Sequence, residues 1–193
     1  MPMQSETRTA ILVAARERLE AVGPARLRMA DIARAAGVSR QSVYLHFGSR
    51  GVLLVALMEL IDHTEGLDEL VRWVFAAEES GELLDRVVEM QTVYNPRIDS
   101  VAAALEAAAS ADADAAAAWL NRMDSRLEGA REVIRRFAVQ DALAPALTES
   151  AAVDLLWSMT SLATWRSLVV ARGWSGEAYE ERMKRVLRRV LLK

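Results

Sequence analysis

Residues 31–47, DIARAAGVSRQSVYLHF, concentrate side chains that can grip a polyanion and read the edges of its bases. Arg40 can donate two parallel hydrogen bonds to guanine O6 and N7, and Gln41 can pair with adenine N6 and N7. Ser39, Ser42, Tyr44 and His46 are suited to phosphate oxygens or thymine methyl groups. This is recognition chemistry, in which no bond is made or broken. It requires the side chains to share one face of a rigid element that enters the major groove.

The elements that must hold them are two short helices and a tight turn. Ile32, Ala33 and Ala36 recur at helical spacing. Gly37 supplies the left-handed residue that ends a helix without a Cβ penalty. Ser39 is a good N-cap for the next helix. Val43 and Phe47, four apart, give that helix an apolar face opposite its polar one. A small helix, a turn and a polar second helix make the helix-turn-helix pattern.

Charge is distributed to match. The 193-residue chain carries a net charge of −3, the wrong sign for a partner made of phosphates. Yet residues 1–50 hold eight arginines against four acids, while the remainder holds sixteen basic and twenty-three acidic groups. A basic head on an acidic body leaves a local footprint for phosphate.

The stretch from Leu27 to Leu53, with its IARAAGVS and VYLHF elements and Arg50, resembles the DNA-binding domain of the tetracycline-repressor (TetR) family over roughly residues 7–55. The closing segment LVVARGWSGEAYEERMKRVLRRVLL is similar to that of many bacterial members. The resemblance implies that Tyr44 and His46 contact the DNA backbone. It also implies that Arg50, where relatives commonly carry lysine, clamps a phosphate. Three positions depart from the pattern. Arg28 stands where many relatives have a hydroxyl residue that caps the second helix, so it cannot cap but can pair with phosphate. Gly48 stands where proline is frequent, and Gly51 weakens the first turn of the helix that follows. Together they predict a looser hinge after the recognition helix.

Composition is that of an all-helical protein, since much of its 52% hydrophobic content is Ala and Leu. Ten helices are expected: about 7–22, the pair above, 50–63, 67–79, 82–93, 98–109, 113–138, 149–172 and 177–192. Gly66, Ser80-Gly81, Asn95-Pro96 and Gly173 serve as breaks. No window is apolar enough for a membrane span, and the first residues lack a signal core, which predicts a cytoplasmic protein. With no cysteine, disulfides and thiolate chemistry are excluded. His46 and His63 are the only histidines, and no zinc, phosphate-loop, nucleophile-elbow or dinucleotide motif occurs. Catalysis, metals and cofactors are therefore not expected.

The fold expected is all-α, with a three-helix helix-turn-helix domain (1–50) joined to a helical ligand-binding and dimerisation bundle (51–193). In the bundle, Trp119, Leu127 and Ile134 belong to one apolar seam, and Val153, Thr164 and Leu168 to another. The family resemblance implies that two such helices per subunit build a homodimer interface. Bulky, adaptable Trp73, Met90, Tyr94, Met123 and Trp157, with Gln91 as an orienting polar group, can line a pocket between helices. The function expected is that of a ligand-responsive transcriptional regulator. It would be a repressor on double-stranded operator DNA, released by a small, largely apolar or aromatic effector. The alternative is a helical scaffold with only non-specific, salt-sensitive DNA affinity.

Overall fold

A computed structural model describes residues 2–193, with side chains from Glu6 onward. The helices are α1 (Pro2–Val22), α2 (Met29–Ala35), α3 (Arg40–Phe47), α4 (Arg50–Thr64), α5 (Leu67–Phe75), α6 (Ser80–Ala108), α7 (Ala113–Val139), α8 (Glu149–Met159), α9 (Leu162–Trp165) and α10 (Gly176–Leu191). A 3-10 turn (Pro24–Arg26) precedes α2, and α9 runs into a turn of π-helix (Arg166–Val170). Among the described residues there is no strand, only an isolated antiparallel bridge between Leu143 and Leu192. The protein is all-α. No single described helix is long and apolar enough to cross a membrane.

The chain separates into two compact units, residues 1–65 with 97–121, and residues 66–96 with 122–193. This division differs from the expected boundary after residue 50, because compactness places α4 with the N-terminal helices. In the first unit, Ile11, Ala15 and Leu19 of α1, Ile32 of α2, Val43 and Phe47 of α3, and Leu53, Leu57 and Ile61 of α4 are buried. Their four-residue spacing gives α1, α3 and α4 one apolar stripe each. Arg16 of α1 ties to Glu65, just past the end of α4, at 2.7 Å. In the second unit, Tyr179, Met183, Leu187 and Leu191 form the buried stripe of α10. They share a core with Leu83 and Leu84 of α6, Val133, Ile134 and Phe137 of α7, and Val153 and Leu156 of α8.

Two breaks differ from expectation. The sequence predicts a turn at Asn95-Pro96, but α6 runs through it as one 29-residue helix. Pro96 cannot donate to the carbonyl of Thr92 and its ring crowds that turn. Its side chain is exposed, while Tyr94, Asn95, Ile98 and Val101 are buried. Burial of that face outweighs the local cost. Conversely, the single helix expected over 149–172 is interrupted after Met159. Hydroxyls compete with the backbone there: Thr160 Oγ1 donates to Leu156 O at 2.7 Å, Ser161 caps α9 through Thr164 N, and Thr164 Oγ1 donates to Ser158 O.

Candidate nucleic-acid interface

The recognition helix is anchored on one side and presented on the other. Gly37, at φ 68°, closes α2, and Ser39 caps α3 by accepting from Ser42 N at 3.0 Å. Val43 and Phe47 are 0% and 3% exposed, so the apolar face is sealed. The Arg8 guanidinium lies 5.2 Å over the Phe47 ring, adding a cation–π contact to the anchor. On the opposite side Ser39, Arg40, Gln41 and Tyr44 are exposed, while Ser42 and His46 are half-buried. Arg40 stacks 5.5 Å over the Tyr44 ring. Its Nη2 also donates to Tyr44 Oη at 3.5 Å, and the exposed side chain keeps its other donors in solvent.

Leu45 is missed by the sequence reading. It is 80% exposed, in the middle of the polar face. An apolar side chain kept in water beside Arg40 and Tyr44 suits a thymine methyl group. Its place between two flagged residues was the available signal, but polarity alone passed over it.

Two expected phosphate contacts are placed differently from each other. Arg28 is exposed at the start of α2 and makes no cap, as its side chain dictates. Arg50 turns inward instead: its Nη2 donates to Pro24 O at 2.9 Å and its Nε is buried without a partner. Arg50 therefore braces the turn before α2, and the expectation of a freely presented phosphate clamp is corrected accordingly.

The hinge after α3 is tied, not loose. Gly48, at φ 68°, ends α3, and Ser49 caps α4 by accepting from Val52 N. The Ser49 hydroxyl also donates to Asp112 Oδ2 at 2.9 Å. The same carboxylate accepts from Ala115 N at 3.0 Å and from the Gly51 backbone. One Asp thus caps α7 and sits on the N-terminus of α4, where both helix dipoles favour a negative charge. The Ala115 N–H, then the Ser49 hydroxyl, holds its carboxyl below the usual carboxylate range. A Cβ on residue 51 would fall 2.0 Å from Asp112 Oδ1, so glycine there admits the carboxylate.

In the second unit the expected pocket residues divide. Trp73 is 38% exposed, with the Arg86 guanidinium 5.1 Å over its ring, and belongs to the surface, not to an interior lining. Tyr94 is buried and its hydroxyl accepts from Arg122 Nη2 at 3.3 Å. Trp157 stacks against Arg126 at 5.5 Å. Met90, Gln91 and Met123 are half-buried. The expected interface residues divide as well. Ile134 and Val153 are 1% and 9% exposed within the unit's own core and offer a partner little surface. Their seams turn inward because the same spacing serves a core or an interface. Leu127, Thr164 and Leu168 are half-buried, as is Trp119 in the first unit. Among the described residues no cluster of three or more His, Asp or Glu is placed to hold a metal ion.

Comparison with known proteins agrees with this geometry. Residues 11–57 match the family model for the N-terminal domain of bacterial regulatory proteins, tetR family. A Pseudomonas putida protein named as a probable HTH-type transcriptional regulator, ArpR, is 40% identical over 80 residues, which are 42% of this chain and 35% of that protein. The match thus spans about a third of that relative's length. A transcriptional regulator from Saccharomonospora viridis, solved with choline, superposes with a TM-score of 0.80 at 19% identity, over 98% of this chain and 99% of that one. NalD, the secondary repressor of the MexAB-OprM efflux pump in Pseudomonas aeruginosa, superposes at 0.72 and 21% identity, over 100% and 99% of the two chains. The structural likenesses establish the fold along the whole chain. The matched segment makes the N-terminal domain, with its sealed, outward-facing recognition helix, similar to the DNA-binding domain of tetR-family regulatory proteins.

Proposed function

We propose that the protein is a sequence-specific DNA-binding repressor that acts as a homodimer and leaves its operator when a small molecule with a largely apolar body binds the second unit. One observation carries the DNA-reading part. The α3 helix is fixed by Val43 and Phe47 and offers Arg40, Gln41, Tyr44 and Leu45 on its exposed side. Arg40 and Gln41 read base edges, Leu45 packs on a thymine methyl, and Arg28, Ser39, Ser42, Tyr44 and His46 fix the register on phosphates. Pairing two copies would set two recognition helices about 34–36 Å apart on one DNA face.

Release follows from a population shift. A ligand that prefers one state of the second unit changes operator affinity only by its differential affinity for the two states. Helices α6 and α7 each contribute residues to both units, which gives the effect a covalent route. Structural neighbours include a regulator solved with choline and another solved with stearoyl-CoA, which supports a sensing role for the helical body. The test is a mobility shift on DNA from upstream of the protein's own gene, against an unrelated duplex of equal length at several salt concentrations. Selective binding, lost in the Arg40→Ala/Tyr44→Phe variant, is expected. Equal and weak binding to that DNA, and to every fragment of a genomic library, would leave only the non-specific scaffold.

A further inference from the structure

The second unit buries two side-chain donors without an acceptor among the described residues, the indole Nε1 of Trp157 and the amide Nδ2 of Asn95, the residue after Tyr94. Arg126 of α7 donates through Nη2 to Trp157 O and Thr160 O, both at 3.2 Å. These carbonyls are freed where α8 stops. Among the described residues no carboxylate pairs with Arg126, whose side chain is half-buried. Arg122, of like charge, lies one helical turn away and donates to Tyr94 Oη at 3.3 Å. Burial first, and then Arg122, pushes the Arg126 pKa down.

Capping the broken helix explains Nη2 alone. A guanidinium at a helix C-terminus gains from the dipole, but a desolvated charge facing only neutral partners stays costly. Nor does capping explain the Arg126 charge left without a carboxylate or the silent Trp157 Nε1 of the ring beneath it, which together call for an acceptor-rich anion. Met90, Leu127 and Trp157 are partly buried and packed on the unit's core, so apolar surface is at hand for the rest of such a ligand.

Building on the sensing role proposed above, we propose that the second unit binds a small organic acid, whose carboxylate docks on the Arg126 fork beside the Trp157 indole and whose apolar body lies against the neighbouring Met and Leu side chains. A planar carboxylate matches the guanidinium in a bidentate way. A quaternary ammonium of the same length meets the Arg126 guanidinium and is repelled.

The test is calorimetric titration of the full chain with decanoate, decan-1-ol and decyltrimethylammonium below their micelle-forming or solubility limits, with tryptophan emission recorded in parallel. Decanoate is expected to bind at least about tenfold more tightly than the other two, and to change an emission component that Trp157→Phe removes. Arg126→Gln should lose about ten- to a hundredfold in decanoate affinity, the effect of one charged hydrogen-bonding group. Arg126→Lys, which keeps the charge, should lose less. Should Arg126→Gln not fold, Arg126→Lys and Trp157→Phe carry the comparison. Decanol or the ammonium binding as tightly as decanoate, unchanged decanoate affinity in the folded Arg126 variants, or no decanoate binding overturns the inference. Operator affinity measured with and without decanoate separates the two proposals. An acid that binds without altering operator affinity leaves the carboxylate site standing and removes the effector role.

Discussion

The two units use the same side chains in opposite ways. In the N-terminal unit, Arg40 leans on Tyr44 with its remaining donors in water. In the second, Arg126 leans on Trp157 at the same 5.5 Å but is half-buried. An exposed guanidinium over an aromatic ring is ready for a partner that brings its own charge and never becomes fully buried. A half-buried one is ready for a ligand small enough to enter beside it. The first suits a polyanion read from outside, the second a single anionic group enclosed by protein.

The largest effect expected from breaking this contrast falls on the anchor of the exposed face. Phe47→Ala removes a buried ring and the Arg8 contact over it, and should cost about 3–5 kcal/mol. Denaturant unfolding measures the loss, and DNA binding should vanish with it. The exposed residues themselves should leave stability unchanged. Arg40→Ala is expected to lower discrimination at one base pair by about 1–3 kcal/mol in competition binding. Arg28→Ala should instead weaken all sequences alike and flatten the salt dependence by about one unit of slope.

A smaller effect concerns Asp112. Asp112→Asn should cost about 1 kcal/mol at neutral pH, the scale of a lost helix cap. Because its folded pKa is depressed, its stabilisation is complete above about pH 4 and disappears as pH falls through the folded value. Urea midpoints of the wild type and Asp112→Asn should therefore differ at pH 7 and converge as the pH falls through the folded value; a constant gap would mean the carboxylate charge contributes nothing. Gly51→Ala should evict the same carboxylate, so the two substitutions combined should cost less than their sum. The smallest effect is at Arg188–Asp85, a bidentate ion pair at 2.8 Å on the surface of the second unit. Asp85→Asn should change stability by less than about 1 kcal/mol, and high salt should shrink even that.

The contrast also explains what was legible in the sequence. The helix-turn-helix is encoded over seventeen consecutive residues, by a glycine at positive φ, a serine cap and two apolar anchors four apart. Each is a local signal and each is where the spacing puts it. The second unit depends on partners far apart in the chain. Arg126 meets Thr160, thirty-four residues on, and nothing in either segment announces the meeting. Periodicity there identified apolar stripes without saying what they face, so Ile134 and Val153 were assigned to an interface and lie in the core. Asp112 is the same lesson inside the N-terminal unit. An acid at a helix start is ordinary by itself, and a glycine in a first turn reads as a weak point. Only their encounter across sixty-one positions shows that the glycine makes room for the carboxylate. Local rules also misjudged Asn95-Pro96, where burial of one helix face carried α6 past a proline.

The most direct measurement is selection of genomic fragments by the purified protein, followed by footprinting of the best fragment with wild type and Arg40→Ala. One tight site class is predicted, with two related half-sites one helical turn, about 34–36 Å, or a multiple of it apart. Arg40→Ala should relax the sequence requirement at a single position in each half-site. Fragments recovered without a shared sequence, with affinities that follow salt alone and ignore Arg40→Ala, would contradict a sequence-reading head.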